Sequence, residues 1–348
     1  MDHLSDAASN IFIEQFAALL AMVQQRIQLE WRYHPGRELK SAGFHLLDYA
    51  ERFGKLLRVV YRHRLFAALR EETAWYAALF AGHGWGQDSL ALLLDSWAIA
   101  IQGLIKPPEC NELAAPLKQL SHELPALFKT QPRQPTTTPP SPALVEALLY
   151  GDIRRSRELI LHWLNLPRPP EKLIVEEILP AISEIGMRWE QNRAEIYQEH
   201  LATEAIKSLL SGFPALISVS PQQVAKTALV SCAPGDQHEL ISLALSTYFE
   251  IRGWQVRNLG GSLPAAQIVL AAEAIRPDLL LLTFTLLSNL DDVLEVVERM
   301  FARLKNCKII VGGHGALSSR PVLERKGCLV AENFDHAYQL AMEGIKDA

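Results

Sequence analysis

Apolar residues recur at three- and four-residue spacing through the first third of the chain, which is typical of helices packed on one face. The spacing is clear over 12–23 and again over 46–60. The pattern up to residue 128 predicts five to seven helices and no strand. Breaks are expected where turn-forming residues interrupt it, at 34–36, 82–86 and 107–108.

A second block of helical spacing is followed by a different pattern. Helices predicted over 143–164, 171–189 and 194–212 would form a small bundle. From residue 224 onward, short apolar runs alternate with amphipathic segments, as in a doubly wound parallel sheet. The strands are predicted at 227–232, 255–259, 279–284, 308–311 and 328–330.

A proline- and threonine-rich tract separates the two regions. Residues 131–142 read QPRQPTTTPPSP, with five prolines and no apolar periodicity, so they are expected to form an extended, semi-stiff linker. The predicted organisation is multidomain. It comprises an all-α domain at 1–130, the linker at 131–142, a helical bundle at 143–220 and an α/β domain at 221–348.

Composition excludes several classes of protein. A chain of 348 residues with 49% apolar content can fill well-packed cores. The net charge of −5, without long runs of like charge, gives no reason to expect general nucleic-acid or membrane-surface binding. Four widely spaced cysteines without a CxxC pair argue against a zinc site or a disulfide framework, and they fit a reducing cytoplasm. The acidic start of the chain is unlike a signal peptide.

The clearest candidate chemistry lies in the loop after the first predicted strand. There His238 would point from the carboxyl end of a parallel strand into the crevice where such sheets bind ligands. Asp236, two residues earlier, can accept a hydrogen bond from one imidazole nitrogen and leave the other free to coordinate a metal. We therefore predict that His238 is a metal ligand oriented by Asp236.

Glycines and short hydroxyl side chains follow the other predicted strands. At such positions a ligand can approach the backbone closely or accept a hydrogen bond. The alternative is that they only close turns. The residues concerned are Gly260, Gly261, Thr283, Thr285, Gly312 and Gly313.

Together these residues resemble the DxHxxG, SxL and GG pattern of the cobalamin-binding domain. That domain is shared by corrinoid methyl carriers, methionine synthase and cobalamin photoreceptor regulators. Asp236 and His238 match the first motif, Thr283 stands at the serine of the second, and Gly312 with Gly313 matches the third. The resemblance covers residues 143–345.

The resemblance implies a flavodoxin-like, Rossmann-type fold in which His238 replaces the cofactor's dimethylbenzimidazole as lower cobalt ligand. The displaced tail would then lie along Thr283 and the glycine pair. Two positions depart from the pattern: Ile241 replaces the last glycine of DxHxxG, and Thr285 replaces the leucine of SxL.

In the light-sensing branch of this family, a helical bundle over the upper face of the corrin carries a tryptophan followed ten residues later by Glu-His. Trp189, Glu199 and His200 match this pattern. The resemblance implies that they cap a 5'-deoxyadenosyl group, so that the cofactor would be adenosylcobalamin. If the resemblance is set aside, Trp189 is expected to be a core residue of the bundle and Glu199 a solvated one.

The amino-terminal region differs from the basic helix-turn-helix domain of CarH-type regulators. Residues 1–130 contain thirteen Lys and Arg against fourteen Asp and Glu, so DNA binding is not expected. By length and helical pattern the region resembles a globin-type sensor domain, and the overall architecture resembles the photocobilins, which add biliverdin as a second chromophore.

A basic and aromatic stretch in that region would suit the propionates and rings of a bilin, and the alternative is a solvated helix face. For haem, the less favoured chromophore, His45, His63 and His83 are the candidate axial ligands. The residues proposed to contact a bilin are Tyr49, Arg52, Arg58, Arg62 and His63, in a stretch that also holds Lys55, Tyr61 and Arg64.

Three functions are compatible with these patterns. The first is a non-enzymatic, cobalamin-dependent light sensor in which photolysis of the cobalt–carbon bond changes homo-oligomerisation or effector binding. The second is a corrinoid methyl carrier that serves separate methyltransferases; a capped upper face argues against it. The third is a module that binds no corrin and acts through protein contacts, for which Ile241 is the best support.

Overall fold

Six helices make up the first of two units in this computed structural model, which describes residues 4–33, 39–129, 139–217 and 226–343. The unit is helical, and no strand occurs in its described residues. A globin-type arrangement of these helices stays a prediction. The helices are α1 (Asp6–Glu14), α2 (Phe16–Tyr33), α3 (Leu39–His63), α4 (Phe66–Gly82), α5 (Gly86–Leu104) and α6 (Glu109–Leu127).

The helix boundaries in this unit follow local chemistry. The Ser5 hydroxyl caps α1 by accepting a hydrogen bond from the Ala8 N–H at 3.1 Å. The predicted breaks at 82–86 and 107–108 are confirmed, the latter with a cis peptide bond between its prolines. The predicted break at 34–36 and most of the predicted linker lie outside the described residues.

The second unit begins with the helical bundle. The helix predicted over 143–164 is wrong as a single element, because Gly151 adopts φ +67° and ends the first helix. Asp152 then caps the next helix through the Arg155 N–H at 2.9 Å. The bundle helices are α7 (Pro142–Leu149), α8 (Ile153–Leu164), α9 (Glu171–Leu173), α10 (Leu179–Glu190) and α11 (Ile196–Leu216).

A π-helical turn, Ile174–Ile178, joins α9 to α10. The sequence predicts one regular helix over 171–189, and the structure instead inserts this wider turn. Such turns are rare and frequently lie near functional sites. Here the turn precedes the helix that carries Trp189.

A five-stranded parallel sheet follows, in the order β2-β1-β3-β4-β5. This is the flavodoxin-like order, whose ligand crevice opens between β1 and β3 at the carboxyl ends of the strands. The five predicted strands are confirmed to within one residue at each end. The elements are β1 (Thr227–Cys232), α12 (Glu239–Glu250), β2 (Gln255–Asn258), α13 (Ala265–Ile275), β3 (Leu279–Thr283), α14 (Leu290–Arg303), β4 (Lys308–Gly312), α15 (His314–Ser318), α16 (Arg320–Arg325), β5 (Leu329–Ala331) and α17 (Phe334–Met342).

The bundle and the sheet share one apolar core. Leu148 and Ile206 of the bundle belong to the same buried cluster as Val230 of β1 and Phe249 of α12. Because α11 packs along α12, the bundle is held directly against the helix that follows β1.

A polar cluster also joins the bundle to the sheet at the carboxyl end of α12. The Arg252 guanidinium lies over the Tyr338 ring at 4.1 Å and donates to the Tyr248 hydroxyl at 2.8 Å and to Glu171 at 3.3 Å. The Tyr248 hydroxyl in turn donates to Asp335 at 2.6 Å. Contacts from α9, α12 and α17 thus meet at one point.

No single helix in the described part of the chain is both long and apolar enough to cross a membrane. The bent pair α1–α2, with 68° between the two helices, meets the same test of length and composition.

Candidate functional site

His238 stands between β1 and α12 as the residue that caps the helix. Its Nδ1 lies 2.5 Å from Oδ1 of Asp236, and its backbone N–H donates to the same oxygen at 3.0 Å. A carboxylate can only accept hydrogen bonds, so in the neutral imidazole Nδ1 carries the proton and Nε2 keeps its lone pair. The imidazole is half-exposed, at 48%, and Nε2 is therefore the nitrogen available to a metal.

Asp236 is almost completely buried, with a side-chain exposure of 1%. Its second oxygen accepts a hydrogen bond from the Thr285 N–H at 2.8 Å. Burial alone would raise the pKa of this carboxyl, but the hydrogen bonds from His238 and Thr285 outweigh it and hold the pKa below its usual range. The carboxylate is thus charged and fixed by three donors.

The contact with Asp236 explains why a threonine can replace the leucine of SxL. Thr285 reaches Asp236 through its backbone N–H, a group that every residue except proline provides. The departure at this position therefore leaves the link between β3 and the His238 loop intact.

The other predicted residues lie at the same edge of the sheet. Cys232, Thr283 and Gly312 pair in one row across β1, β3 and β4. The next residue, Gly313, has φ +110°, and a Cβ there would lie 2.5 Å from the Phe284 carbonyl oxygen. Only glycine fits this position without movement of the backbone, and it keeps the edge of the sheet free of side chains.

The turn after β2 lies against the start of α12. The Cys232 N–H donates to the Gly260 carbonyl at 2.9 Å, and the Ser262 N–H donates to the Asp236 carbonyl at 3.2 Å. Gly260 and Gly261 face the Glu239 side chain, with a Cβ at Gly260 placed 3.9 Å from its carboxylate. The turn thus borders the His238 loop directly.

Ile241 stands three residues after His238 on the first turn of α12 and is half-buried. Residues three apart on a helix are neighbours on its surface. A branched side chain therefore occupies the place beside His238 that the DxHxxG glycine leaves open.

Glu199 lies in the first turn of α11, and His200 follows it. The Thr203 hydroxyl donates to Glu199 at 2.8 Å, and His200 is 74% exposed. Lys207 follows His200 by seven residues, which places it on nearly the same helix face, about 10 Å further along the axis. Because Lys207 pairs with Glu239, this face of α11 is directed toward the start of α12.

Trp189 stands at the end of α10, close in sequence to the start of α11. The Arg188 carbonyl accepts hydrogen bonds from the N–H groups of Arg193 at 2.7 Å and Ala194 at 3.1 Å. Arg188 is itself held by Glu184 at 2.8 Å and by Glu146 of α7 at 2.7 Å. The end of the helix that carries Trp189 is thereby tied to the rest of the bundle.

Asn289 is a polar residue that follows β3 and was not predicted as part of the site. Its Nδ2 is buried, and within the described ranges of the chain no group accepts a hydrogen bond from it. It caps α14 after a short 3₁₀ turn, Leu287–Asn289, which packs against α15 beyond Gly313. A buried amide donor without an acceptor is costly, so this atom is suited to a ligand.

The residues predicted to hold a bilin do not share one face of α3. Tyr49 and Arg58 are nine positions apart on this helix, on about opposite sides. The Tyr49 ring is buried against Tyr76 and Phe80, whereas the Arg58 guanidinium lies 5.6 Å over the Phe16 ring. The basic and aromatic stretch therefore does not present one common surface, because successive residues of a long helix occupy several faces.

The remaining residues of that prediction lie elsewhere on α3. Arg52 is exposed, with its guanidinium 5.8 Å from the Tyr49 ring. Arg62 is exposed near the end of the helix, and His63 is its last residue.

Two of the three predicted haem ligands meet at Trp85. His45 and His83 both stack on its indole, at 5.4 Å and 4.9 Å between ring centres. Burial, with a smaller contribution from His45, lowers the pKa of His83. His63 does not belong to this stack in the contacts described for α3.

No group of three or more His, Cys, Asp or Glu side chains is arranged to hold a metal ion anywhere in the described ranges. A metal carried inside a macrocycle needs only one axial ligand from the protein. The single Nε2 of His238 meets that requirement.

Two family profiles, both described as B12 binding domain, match adjacent parts of the chain, one over 142–211 and the other over 226–339. The first covers α7 to α10 and most of α11, and the second covers the sheet with Asp236 and His238. The matched segments thus join the bundle and the sheet into one module.

Curated relatives match about half of the chain. The HTH-type transcriptional repressors CarA and CarH of Myxococcus xanthus are 30% and 28% identical over 156 and 158 residues, in each case 45% of this chain and 52% of the relative. Dimethylamine corrinoid protein 1 of Methanosarcina acetivorans is 24% identical over 181 residues, 50% of this chain and 83% of the relative.

The chain spans about half the length of the two repressors that it matches. The chain thus carries two matches to B12 binding domains in tandem and is similar to CarA and CarH.

Proposed function

We propose that this protein is a cobalamin-dependent light sensor that holds adenosylcobalamin between its bundle and its sheet, with Nε2 of His238 as the lower ligand of cobalt. The observation that carries the proposal is the fixed tautomer of His238, whose Nδ1 is bound at 2.5 Å by a buried carboxylate. A histidine oriented in this way presents one lone pair to a metal.

The chemistry of the edge of the sheet fits a large cofactor. Gly313 leaves no room for a side chain against Phe284, Thr283 and Gly312 lie side by side, and Asn289 holds a buried donor that no described group satisfies. A nucleotide tail along Gly260, Thr283 and the glycine pair would meet bare backbone, a hydroxyl and an amide. These groups suit a polar ligand with many acceptors.

The upper side of the site is assigned to the bundle. Trp189, Glu199 and His200 would cover the adenosyl group, the indole packing on it and the two polar side chains donating to or accepting from its sugar and base. The cofactor, when bound, would supply a cobalt–carbon bond that visible light cleaves. Loss of the covered group would leave the cap without its packing partner, a local change that can bias a two-state element.

The output is proposed to be a change in self-association or in binding of an effector, without catalysis. Similarity to the transcriptional repressors CarA and CarH supports a regulatory role. The amino-terminal unit is proposed as the site of a second tetrapyrrole, biliverdin before haem. Titration with each, followed by absorption, tests this part separately.

A corrinoid methyl carrier is the second candidate, favoured by the match to dimethylamine corrinoid protein 1. The two functions differ at the upper face, which a carrier must open to a partner enzyme and a sensor must cover. The preference between adenosylcobalamin and methylcobalamin therefore discriminates between them.

The test is reconstitution of the full chain in the dark with adenosylcobalamin, followed by absorption spectra and size-exclusion chromatography before and after green light. A sensor shows a spectral change together with a shift in elution volume. Equal binding of methylcobalamin with no change of size in light favours the carrier. No binding of either form leaves the protein-interaction module.

The ligand assignment has its own variant. His238→Ala should lower cobalamin affinity or change the spectrum of the bound cofactor. His162→Ala removes an exposed histidine of α8 and is the matched control. Identical spectra and affinities for the two variants would contradict ligation by His238.

A further inference from the structure

An ion pair joins the bundle to the sheet beside the proposed corrin site. The Lys207 ammonium on α11 contacts the Glu239 carboxylate on α12 and also lies 2.9 Å from Glu204. Glu239 follows His238 directly, and its side chain faces the Gly260 turn. A cation and an anion therefore meet one residue away from the proposed cobalt ligand.

Lys207 also lies on the cap side of the site. It shares its face of α11 with His200, which lies about 10 Å away toward the start of the helix. A flat macrocycle between His200 and His238 would therefore have Lys207 and Glu239 at its rim. Both side chains are accessible to a ligand, because Lys207 is 31% exposed and Glu239 is 43% exposed.

The two groups have complementary hydrogen-bonding capacity. An ammonium has three donors and no acceptor, whereas a carboxylate only accepts. A primary carboxamide has one carbonyl acceptor and two N–H donors, so it can satisfy both groups at once. Carboxamide side chains surround the corrin ring.

We infer that Lys207 and Glu239 together recognise a carboxamide side chain on the rim of the corrin, with the ammonium donating to the amide oxygen and the carboxylate accepting from the amide nitrogen. This inference rests on the proposed function, because it requires a corrin in the site. It makes the pair a specificity determinant distinct from the cobalt ligand.

The pair should discriminate by charge. A carboxylate in place of the carboxamide has no N–H for Glu239 and is repelled by it, while Lys207 still attracts it. Glu239→Gln should therefore improve binding of the acid relative to the amide. Lys207→Gln should do the opposite, because it leaves the acid facing only Glu239.

The experiment uses the full chain and two probes: hydroxocobalamin and its monocarboxylic acid derivatives, each with one carboxamide hydrolysed. The measurement is the ratio of dissociation constants, acid over amide, by absorption titration. For at least one derivative, Glu239→Gln should lower this ratio and Lys207→Gln should raise it, each by roughly ten- to hundredfold, the range of a single hydrogen bond to a charged group.

The control variants are Lys326→Gln and Glu298→Gln. They break a Lys–Glu pair of 2.7 Å that lies on α14 and the turn after α16, away from the His238 loop. Thermal unfolding of each apo-protein separates recognition from loss of fold, since a shift in stability moves both dissociation constants alike.

The outcomes separate the two proposals. Normal hydroxocobalamin binding with ratios equal to those of the controls for every derivative would overturn this inference alone. Failure of the wild-type chain to bind both hydroxocobalamin and, in the dark, adenosylcobalamin would overturn the proposed function, and the inference with it. Opposite shifts of the ratio in the two variants would support it.

Discussion

Replacing Asp236 by asparagine isolates the role of this carboxylate in setting the tautomer of His238. The side chain accepts from His238 Nδ1 at 2.5 Å, from the His238 N–H at 3.0 Å and from the Thr285 N–H at 2.8 Å. An amide keeps only one oxygen, so its NH₂ group must face one of these donors. The shape of the side chain is almost unchanged.

Each orientation of the amide has a different cost. With the NH₂ group toward His238, the His238 backbone N–H loses its acceptor, Nδ1 must accept, the proton moves to Nε2, and the lone pair proposed for cobalt is lost. Loss of such a supporting partner typically lowers metal affinity by about 10- to 100-fold. With the NH₂ group toward Thr285, a buried N–H loses its acceptor, which costs about 1–3 kcal/mol of folding free energy. We therefore expect Asp236→Asn to lose affinity, stability or both.

Two measurements distinguish these costs: absorption titration of the apo-protein with hydroxocobalamin, and urea unfolding of the apo-protein. Asp278→Asn is the matched control, because Asp278 also accepts from a backbone N–H, that of Thr227 at 2.9 Å, but lies at the amino edge of the sheet. It should cost stability without changing affinity. If Asp236→Asn bound hydroxocobalamin like the wild type and were no less stable, the reasoning would be refuted.

Three further predictions concern packing, the cap and pH. Gly313→Ala should lower the unfolding free energy by about 1–3 kcal/mol because Gly313 has a positive φ and a Cβ there would collide with the Phe284 carbonyl. The control is Gly212→Ala, in open space on α11, which should raise the unfolding free energy by about 0.5–1 kcal/mol in the same urea assay. Trp189→Ala should bind cobalamin yet reduce the preference for adenosyl over methyl forms in competition titrations, and an unaltered preference would count against the cap. Folding lowers the pKa of Asp236, so its contribution to stability is present above the ordinary carboxyl pKa of about 4 and is lost as the pH falls through the lower folded value. The unfolding free energies of the wild type and Asp236→Asn, plotted against pH, should therefore converge in acid. Parallel curves would contradict this prediction.

Local patterns were sufficient to predict much of the module. The strands were readable because each is a short apolar run bounded by turn residues, and β3 is buried throughout. The hydrogen bond between Asp236 and His238 was predictable because it spans only two residues. Contacts between residues that are close in sequence are therefore predictable, because the backbone between them fixes their distance.

Contacts between distant segments could not be predicted in this way. The Thr285 N–H that binds Asp236 lies 49 residues away and comes from the backbone, which has no sequence signature. Lys207 and Glu239 meet only because α11 packs on α12. The helix break at Gly151 was not predicted because apolar spacing continues across it from Leu148 to Ile160.

The residues predicted to contact a bilin on α3 do not share one surface, for a related reason. Tyr49 and Arg58 are close in sequence, but each successive residue of a helix turns by about 100°. Their contacts with Phe80 and Phe16 are made on different sides of α3. Charge content alone does not show which face a residue occupies.

The core shared by the bundle and the sheet has a consequence for how this module is inherited. Phe249 and Val230 are buried in the same cluster as Leu148 and Ile206, so neither half can bury its apolar surface without the other. The two halves therefore form one cooperative folding unit rather than two interchangeable parts. Gene fusion can place a new amino-terminal domain before α7, whereas recombination between α11 and β1 would have to preserve both faces of the core.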